Sequence, residues 1–282
     1  MDFSNHDIAD YYNQTQVHYK QWWKLANNQS VHYGLWEKDT RSFAEALQNT
    51  NRVMSQIAGI KPGEKILDAG CGVGGAAFYL SKNMDCEVVG ITLSEKQLEM
   101  ANQHKGELNT SHKVQFDLKD FSNTDYPDHS FDVIWACESS CYANPKSTFL
   151  NEVNRLLKPG GRLILADYFL TDEGEKDPNG WLKKWGDLWA ISDFYKNSTL
   201  NSLIEENGLS IISNQDFSAQ VQRSSKRMYC ASILAAPFSE CYNLFFNTSR
   251  FAKHHYRSAI YQFRSLMKQQ WQYRIICAKI GT

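Results

Sequence analysis

Apolar and polar positions along this chain fall into short strand-length apolar runs alternating with longer amphipathic stretches. Runs rich in Val, Ile and Leu place strands near 64–69, 86–91, 113–117, 131–136, 161–168, 209–216 and 271–279. Between them, apolar residues recurring every three to four positions predict helices near 41–59, 73–83, 95–109, 146–157 and 198–207. Pro62-Gly63 and Pro159-Gly160-Gly161 punctuate strand entry. Strands that alternate with helices imply an α/β fold: a seven-stranded, mostly parallel sheet with helices on both faces.

Two stretches stand outside this alternation. Residues 4–36 are rich in aromatics: Tyr11, Tyr12, Tyr19, Trp22, Trp23, His32, Tyr33 and Trp36. Residues 172–195 and 217–267 carry Trp181, Trp185, Trp189 and Phe194, then a long aromatic helix pattern through Tyr242, Phe245, Phe246, Phe251 and Tyr256. Both suit a helical cap over the carboxyl ends of the strands, where open α/β sheets bind ligands. The expected division is a cap at 1–40, a core at 41–171, a cap insertion at 172–267 holding the strand near 209–216, and a final core strand at 268–282.

Composition narrows the class. With 282 residues, 42% of them hydrophobic, the chain can bury a sizeable core. A net charge of −1 with scattered Lys and Arg speaks against a nucleic-acid partner. No apolar run approaches a membrane span, and the polar start MDFSNH is unlike a secretory signal. Seven cysteines without a CxxC pair suggest reduced thiols in a cytoplasm. The histidines show no metal spacing, so no metal site is expected. A homodimer is left open.

The most informative local pattern is ILDAGCGVGG at 66–75. An apolar strand ends in Asp68, a glycine-rich turn follows, and Ala76-Ala77-Phe78 begins a helix. Gly70 and Gly72 remove the side chains that would hold a ligand off the backbone. Glycine alone is weak evidence, but a second strand arriving one βαβ unit later points to a Rossmann-like nucleotide site. Nucleotide folds commonly place an acid at the end of that second strand. Here Thr92 stands there, then Leu93, with Gln97 one turn into the next helix. A hydroxyl and an amide can each bond a ribose diol. Thr92 and Ser94 also suit a helix cap.

The chain resembles the class I S-adenosylmethionine (SAM)-dependent methyltransferases. LDAGCGVGG at 67–75 is similar to their first motif, and GITLSEKQ at 90–97 to the GITLSxxQ form of the sterol and tocopherol C-methyltransferase branch, to which cyclopropane fatty acid synthases lie near. SFDVIW at 130–135 and LKPGGR at 157–162 match two further segments. The resemblance implies SAM as cofactor, bound through Tyr33, Asp68, Gly70, Gly72, Thr92, Leu93, Gln97, Asp120, Phe121 and Cys137. Of these, Asp120 would meet the adenine amino group beside Phe121. HYGLW at 32–36 resembles the HYGxW element, whose aromatic side chain closes over the methionine end.

Glu138 follows the fourth strand, where a carboxylate can offset developing positive charge or take a proton; a helix N-terminal Glu is the plainer reading. Related families often carry His where Tyr142 stands, which weakens the case for a cyclopropane synthase. Glu138 and Tyr142 are the catalytic candidates. Tyr12, Tyr19, His32, Trp36, Trp181 and Trp185 are the acceptor-contact candidates, although a Trp stripe at i, i+4, i+8 is more often core. The expected activity is methyl transfer from SAM to a small or medium, largely apolar metabolite, with C-methylation of a prenoid-like or aromatic acceptor favoured. N- or O-methylation of an amine or hydroxyl remains open. A non-catalytic SAM-binding protein and an NAD-dependent oxidoreductase are weaker alternatives.

Overall fold

A computed structural model describes residues 2–22, 28–108 and 113–281; Trp23 and Asn109 lie outside them, and of Trp22 only the backbone is described. Seven strands form one sheet: β1 Lys65–Ala69, β2 Glu87–Thr92, β3 Val114–Leu118, β4 Phe131–Cys137, β5 Leu157–Leu170, β6 Leu209–Asp216 and β7 Trp271–Ile280. Their order is β3-β2-β1-β4-β5-β7-β6. The pairs from β3 to β5 are parallel, and β7 runs antiparallel to both β5 and β6. The chain reverses direction of build between β1 and β4. Asp68 there lies level with Gly90 on one side and Trp135 on the other. That reversal opens a crevice beyond the strand ends.

The helices are α1 Asn5–Trp22, α2 Phe43–Ala58, α3 Gly75–Met84, α4 Glu95–Glu107, α5 Lys146–Leu156, α6 Asp172–Lys176, α7 Trp181–Trp189, α8 Asn197–Glu206, α9 Ser218–Phe245 and α10 His255–Met267. Central strands are buried on both faces, so they read as continuous apolar runs. Ile66, Val133 and Ile164 join one core cluster with Tyr11, Leu35 and Met54. Their neighbours Leu67, Ile134 and Leu163 point the other way, onto Phe149, Leu150 and Ile204.

Two expectations need correction. The fifth strand starts at Leu157 rather than 161, because Phe131 pairs with Leu157 before the register shifts and resumes at Val133 and Arg162. Pro159-Gly160-Gly161 is therefore a bulge inside the strand rather than its entry. The aromatic helix pattern from Tyr242 to Tyr256 is also not one helix. Helix α9 stops at Phe245; across the break Asn243 Nδ2 donates to the Lys253 carbonyl at 2.6 Å and Thr248 Oγ1 to Asn243 Oδ1 at 2.8 Å. Asn and Thr compete with helical backbone in this way.

The segment 32–36 lies on α2. Leu35 N–H donates to the Ala46 carbonyl at 2.9 Å, and Thr50 Oγ1 to the Tyr33 carbonyl at 2.9 Å. A Cβ on Gly34 would come within 2.7 Å of Ala46 Cβ and 2.9 Å of its backbone carbon. Gly34→Ala should therefore cost about 1–3 kcal/mol through overpacking. Gly106, in α4, faces open space. Gly106→Ala should raise stability by about 0.5–1 kcal/mol through helix propensity. Urea unfolding of the two variants checks this opposition of sign.

Candidate active site

The strand ends of β1, β2 and β4 frame a cleft of about 890 Å³, including its open mouth. The turn after β1 forms one wall, with Gly70 at φ 96° and Gly72 at φ 54°. Residues with side chains rarely adopt such angles. Nothing lies nearer to a Gly72 Cβ than Val31 Cγ2 at 3.6 Å, so that position opens on the cleft. Gly75 serves another purpose: a Cβ there would strike the Gln29 carbonyl at 2.2 Å, so its bareness lets residues 29–32 close down on the turn.

Asp68 is buried, and its Oδ2 has no hydrogen-bond partner. Burial pushes its carboxyl up to about 7, against one stabilising contact from the Ala77 backbone. An unsatisfied buried acceptor calls for a donor from a bound ligand. Across the cleft, the Thr92 hydroxyl accepts from Ser94 N–H at 3.2 Å and donates to Gln97 Oε1 at 2.8 Å. Thr92 thereby fixes the Gln97 amide with its Nε2 near Gly72. Ser94 caps α4 by accepting from Gln97 N–H at 3.1 Å. Leu93 and Phe121 add apolar surface. Bare glycine backbone, a lone acid, an oriented amide and apolar flanks fit the ribose, adenine and charged methionine end of SAM.

Glu138, one residue past β4, has φ 53°. A residue other than glycine in this left-handed region costs about 1–3 kcal/mol, which persists only where the surroundings enforce it. Its carboxyl accepts from Tyr33 N–H at 2.7 Å, from Tyr273 OH at 2.9 Å and from Tyr168 OH. Burial pushes it up to about 8, and these three donors pull the other way. Aromatic side chains wall the rest. Tyr12 donates to the Tyr142 hydroxyl at 3.1 Å, and Tyr19, Tyr168 and Trp189 complete the lining. Burial raises all four tyrosines above the ordinary phenol range, so they serve as neutral hydrogen-bonding rings. His32 also faces the cleft, and burial pulls it down to about 4, which leaves it neutral.

Of the residues singled out from sequence, Asp68, Gly70, Gly72, Thr92, Leu93, Gln97, Phe121 and Cys137 line this cleft. So do Glu138, Tyr142, Tyr12, Tyr19 and His32. Five do not. The ring of Tyr33 turns away from the cleft, its hydroxyl donating to Gln262 Oε1 at 2.6 Å; only its backbone reaches Glu138. Asp120 accepts from Asn5 Nδ2 at 2.7 Å and lines a neighbouring cavity that shares Leu93 and Phe121. Trp36 Nε1 donates to Ser224, under the Arg223 guanidinium. Trp181 lies beneath Arg264, and Trp185 is wholly buried against Phe194 and Tyr168. The stripe on α7 delivers its last member, Trp189, because the helix points its carboxyl end at the cleft. Tyr168 went unseen because β5 gave no sign of ending in a site. Among the described residues no group of three or more His, Cys, Asp or Glu is placed to hold a metal ion.

A methyltransferase-domain family model matches residues 67–165. The chain is 37% identical over 146 residues to 27-O-demethylrifamycin SV methyltransferase of Amycolatopsis mediterranei, covering 51% of this chain and 53% of that protein. It is 36% identical over 135 residues to sterol 24-C-methyltransferase of Aspergillus fumigatus, covering 48% of this chain and 36% of that one. The matched region thus spans about half the length of the first relative and about a third of the second. Among solved structures, the [4+2]-cyclase SpnF superposes with a TM-score of 0.82 at 19% identity, over 100% of this chain and 98% of its own. That likeness is one of fold alone. Taken with the glycine turn, the Thr92–Gln97 pair and the reversal of strand order beside them, these matches show that residues 67–165 form a methyltransferase domain, similar in sequence to that of the sterol C-methyltransferases.

Proposed function

We propose that this chain is an enzyme that transfers a methyl group from SAM to a small or medium, largely apolar acceptor, with a prenoid-like or aromatic carbon as the site of methylation. The observation that carries this reading is Glu138, a buried carboxyl held in a left-handed backbone at the end of β4, with the glycine turn on one side and aromatic rings on the other. Bound here, SAM supplies an electrophilic methyl group on a sulfonium sulfur. Gly72 lets a ligand reach the backbone, whereas the bareness of Gly70 makes room for Ser139, 2.4 Å from where its Cβ would stand. Asp68 offers an acceptor to the ligand's charged end, and the Gln97 amide offers donors to its hydroxyls. Leu93 and Phe121 flank a flat ring.

The rest of the cleft suits a carbon nucleophile. When an alkene or arene attacks, positive charge develops on the acceptor. The faces of Tyr12, Tyr19, Tyr142, Tyr168 and Trp189 favour a cation, and Glu138 offsets it once its carboxyl, which burial holds near 8, is ionised. Among the described cleft residues Lys119 is the one Lys or Arg side chain, and it is engaged by Asp125. Helix α1, residues 29–32 and α7 act as the cap that excludes water and aligns the acceptor. No described helix is long and apolar enough to cross a membrane. The free cysteines suit the reducing cytoplasm we assign to the protein.

Incubation with methyl-labelled SAM and a panel of sterols, prenyl alcohols and phenols tests the reading. Label should pass to an organic-extractable product carrying a new carbon–methyl bond. Label confined to N or O would refute carbon as the acceptor atom. No labelled product at all, with S-adenosylhomocysteine still bound, would point to a non-catalytic protein.

Two substitutions separate binding from support. Gln97→Met should weaken S-adenosylhomocysteine by about tenfold, the worth of one hydrogen bond. Ser94→Ala should cost about 1 kcal/mol of stability through loss of the cap, with affinity within about threefold of wild type. Calorimetry and thermal unfolding read the two effects independently.

Assayed above about pH 8, where the folded carboxyl is ionised, Glu138→Gln should lower kcat about 100-fold while S-adenosylhomocysteine affinity moves little, because the carboxylate acts mainly as charge develops. Its pH signature concerns stability. Burial holds the folded carboxyl near 8 against an ordinary 4.5. The folded state thus binds the proton more tightly than the unfolded chain does. Wild type should lose stability relative to Glu138→Gln as pH rises from about 4.5 through about 8, by a few kcal/mol at most, with no relative change below that window. Urea midpoints for both proteins at pH 4, 6 and 9 check the sign.

A further inference from the structure

A second cavity of about 660 Å³, including its open mouth, lies in the cap, between α1, α7, α9 and α10. It shares Trp189 with the cleft. Its walls are mostly small and apolar, including Ala231, Ala235, Ala252, Ala259 and Met228. Arg227, Ser232, Ser239 and Tyr256 also face it, and its remaining polar groups are engaged with one another. Trp189 Nε1 donates to Ser258 Oγ at 2.9 Å, and that hydroxyl donates to the His255 carbonyl at 2.7 Å. The two ring nitrogens of His255 are 3.2 Å from Tyr11 OH and 3.2 Å from His18 Nδ1. Tyr11 OH in turn meets Tyr19 OH on the cleft side. Burial keeps His18 and His255 below the ordinary imidazole range, so both are neutral near pH 7. Arg227 packs its guanidinium over Phe43 at 4.2 Å.

The partition between the two spaces is thus Trp189 and a hydrogen-bonded chain whose groups satisfy one another. The surface of the cap cavity is mainly apolar despite these polar side chains, so apolar burial supplies most of a ligand's affinity there. On the adjoining face of α9, Leu234 and Phe238 are 73% and 79% exposed, leaving an apolar approach along the same helix.

We infer that the cap cavity receives the apolar body of an elongated acceptor, an uncharged chain or fused-ring lipid, whose reacting end passes Trp189 into the cleft beside Glu138. The meaning of this inference for catalysis rests on the methyl-transfer reading, but the cavity's ligand class does not.

Isothermal titration of the intact protein with straight-chain alcohols from hexanol to dodecanol tests it. Affinity should rise about three- to fourfold per methylene and then level off once the cavity is filled. Ala235→Trp should weaken decanol binding at least tenfold and leave S-adenosylhomocysteine affinity within twofold of wild type. Should that variant fail to fold, Ala252→Leu, a smaller filling from another wall, should move the plateau to shorter alcohols. The inference is overturned if no saturable alcohol binding occurs up to the solubility limit. It is equally overturned if a folded, S-adenosylhomocysteine-binding filled variant binds decanol as wild type does. Chain-length-dependent binding that the fillings abolish, in a protein that binds no S-adenosylhomocysteine, would uphold the lipid cavity and remove the methyltransferase reading.

Discussion

The buried carboxyl of Glu138 is the constraint through which distant parts of this chain meet. Its three donors come from the 32–36 segment, from β5 and from β7, separated from it in sequence by 105, 30 and 135 positions. An isolated ionised carboxylate in such surroundings would be strongly disfavoured, so the site exists only when all three partners arrive. The left-handed backbone at Glu138 has the same implication. It is tolerated because Glu138 N–H is fixed to the Ala166 carbonyl at 2.8 Å and the side chain is held from the other end. Closing the N-terminal segment over the sheet and completing the cleft floor are one event.

That coupling explains the aromatic packing around it. Tyr33, Tyr168, Trp271 and Tyr273 meet edge to face or tilted, with ring centroids 5.7–6.0 Å apart. Rings of this kind pack rigidly while presenting hydroxyls at chosen points. Two hydroxyls serve Glu138 and one serves Gln262. Tyr33 thus acts on the site through its backbone and its packing, although its motif draws attention to the ring. The cleft wall itself is formed by the residues before it, Val31 and His32, and by Tyr12 and Tyr19 of α1.

The fold was legible because its signals are local. Each core strand is a short apolar run ending at a turn residue, and the central ones are buried on both sides. The glycine turn and Thr92–Gln97 were legible for the same reason, since βα loops carry their ligand contacts within a few residues of the strand end. What could not be read is where long helices stop and which way they face. Asn243 and Thr248 end α9 through side-chain bonds that no hydrophobic period records. The Trp stripe on α7 reads identically at 181, 185 and 189, yet only its last member reaches the cleft. The choice is made by how the helix end meets Tyr11, Tyr168 and Ser258, contacts that span 178, 21 and 69 positions.

The division of labour between the two ends of the sheet follows from strand direction. Parallel strands β1, β2 and β4 all deliver their carboxyl ends to one edge, so backbone groups and short polar side chains converge there without any long-range design. Strand β7 runs the other way and brings its start, Trp271 and Tyr273, to that same edge. The reversal places side chains, rather than a loop, over the fourth and fifth strands. A fully parallel last strand would put a connection there instead, and Glu138 would lose the Tyr273 hydroxyl. The antiparallel hairpin of β6 and β7 also returns the chain through α9 and α10, the two helices that wall the cap cavity. The glycine turn thus belongs to the parallel half of the sheet, and two walls of the cap cavity to the chain returned by its antiparallel edge.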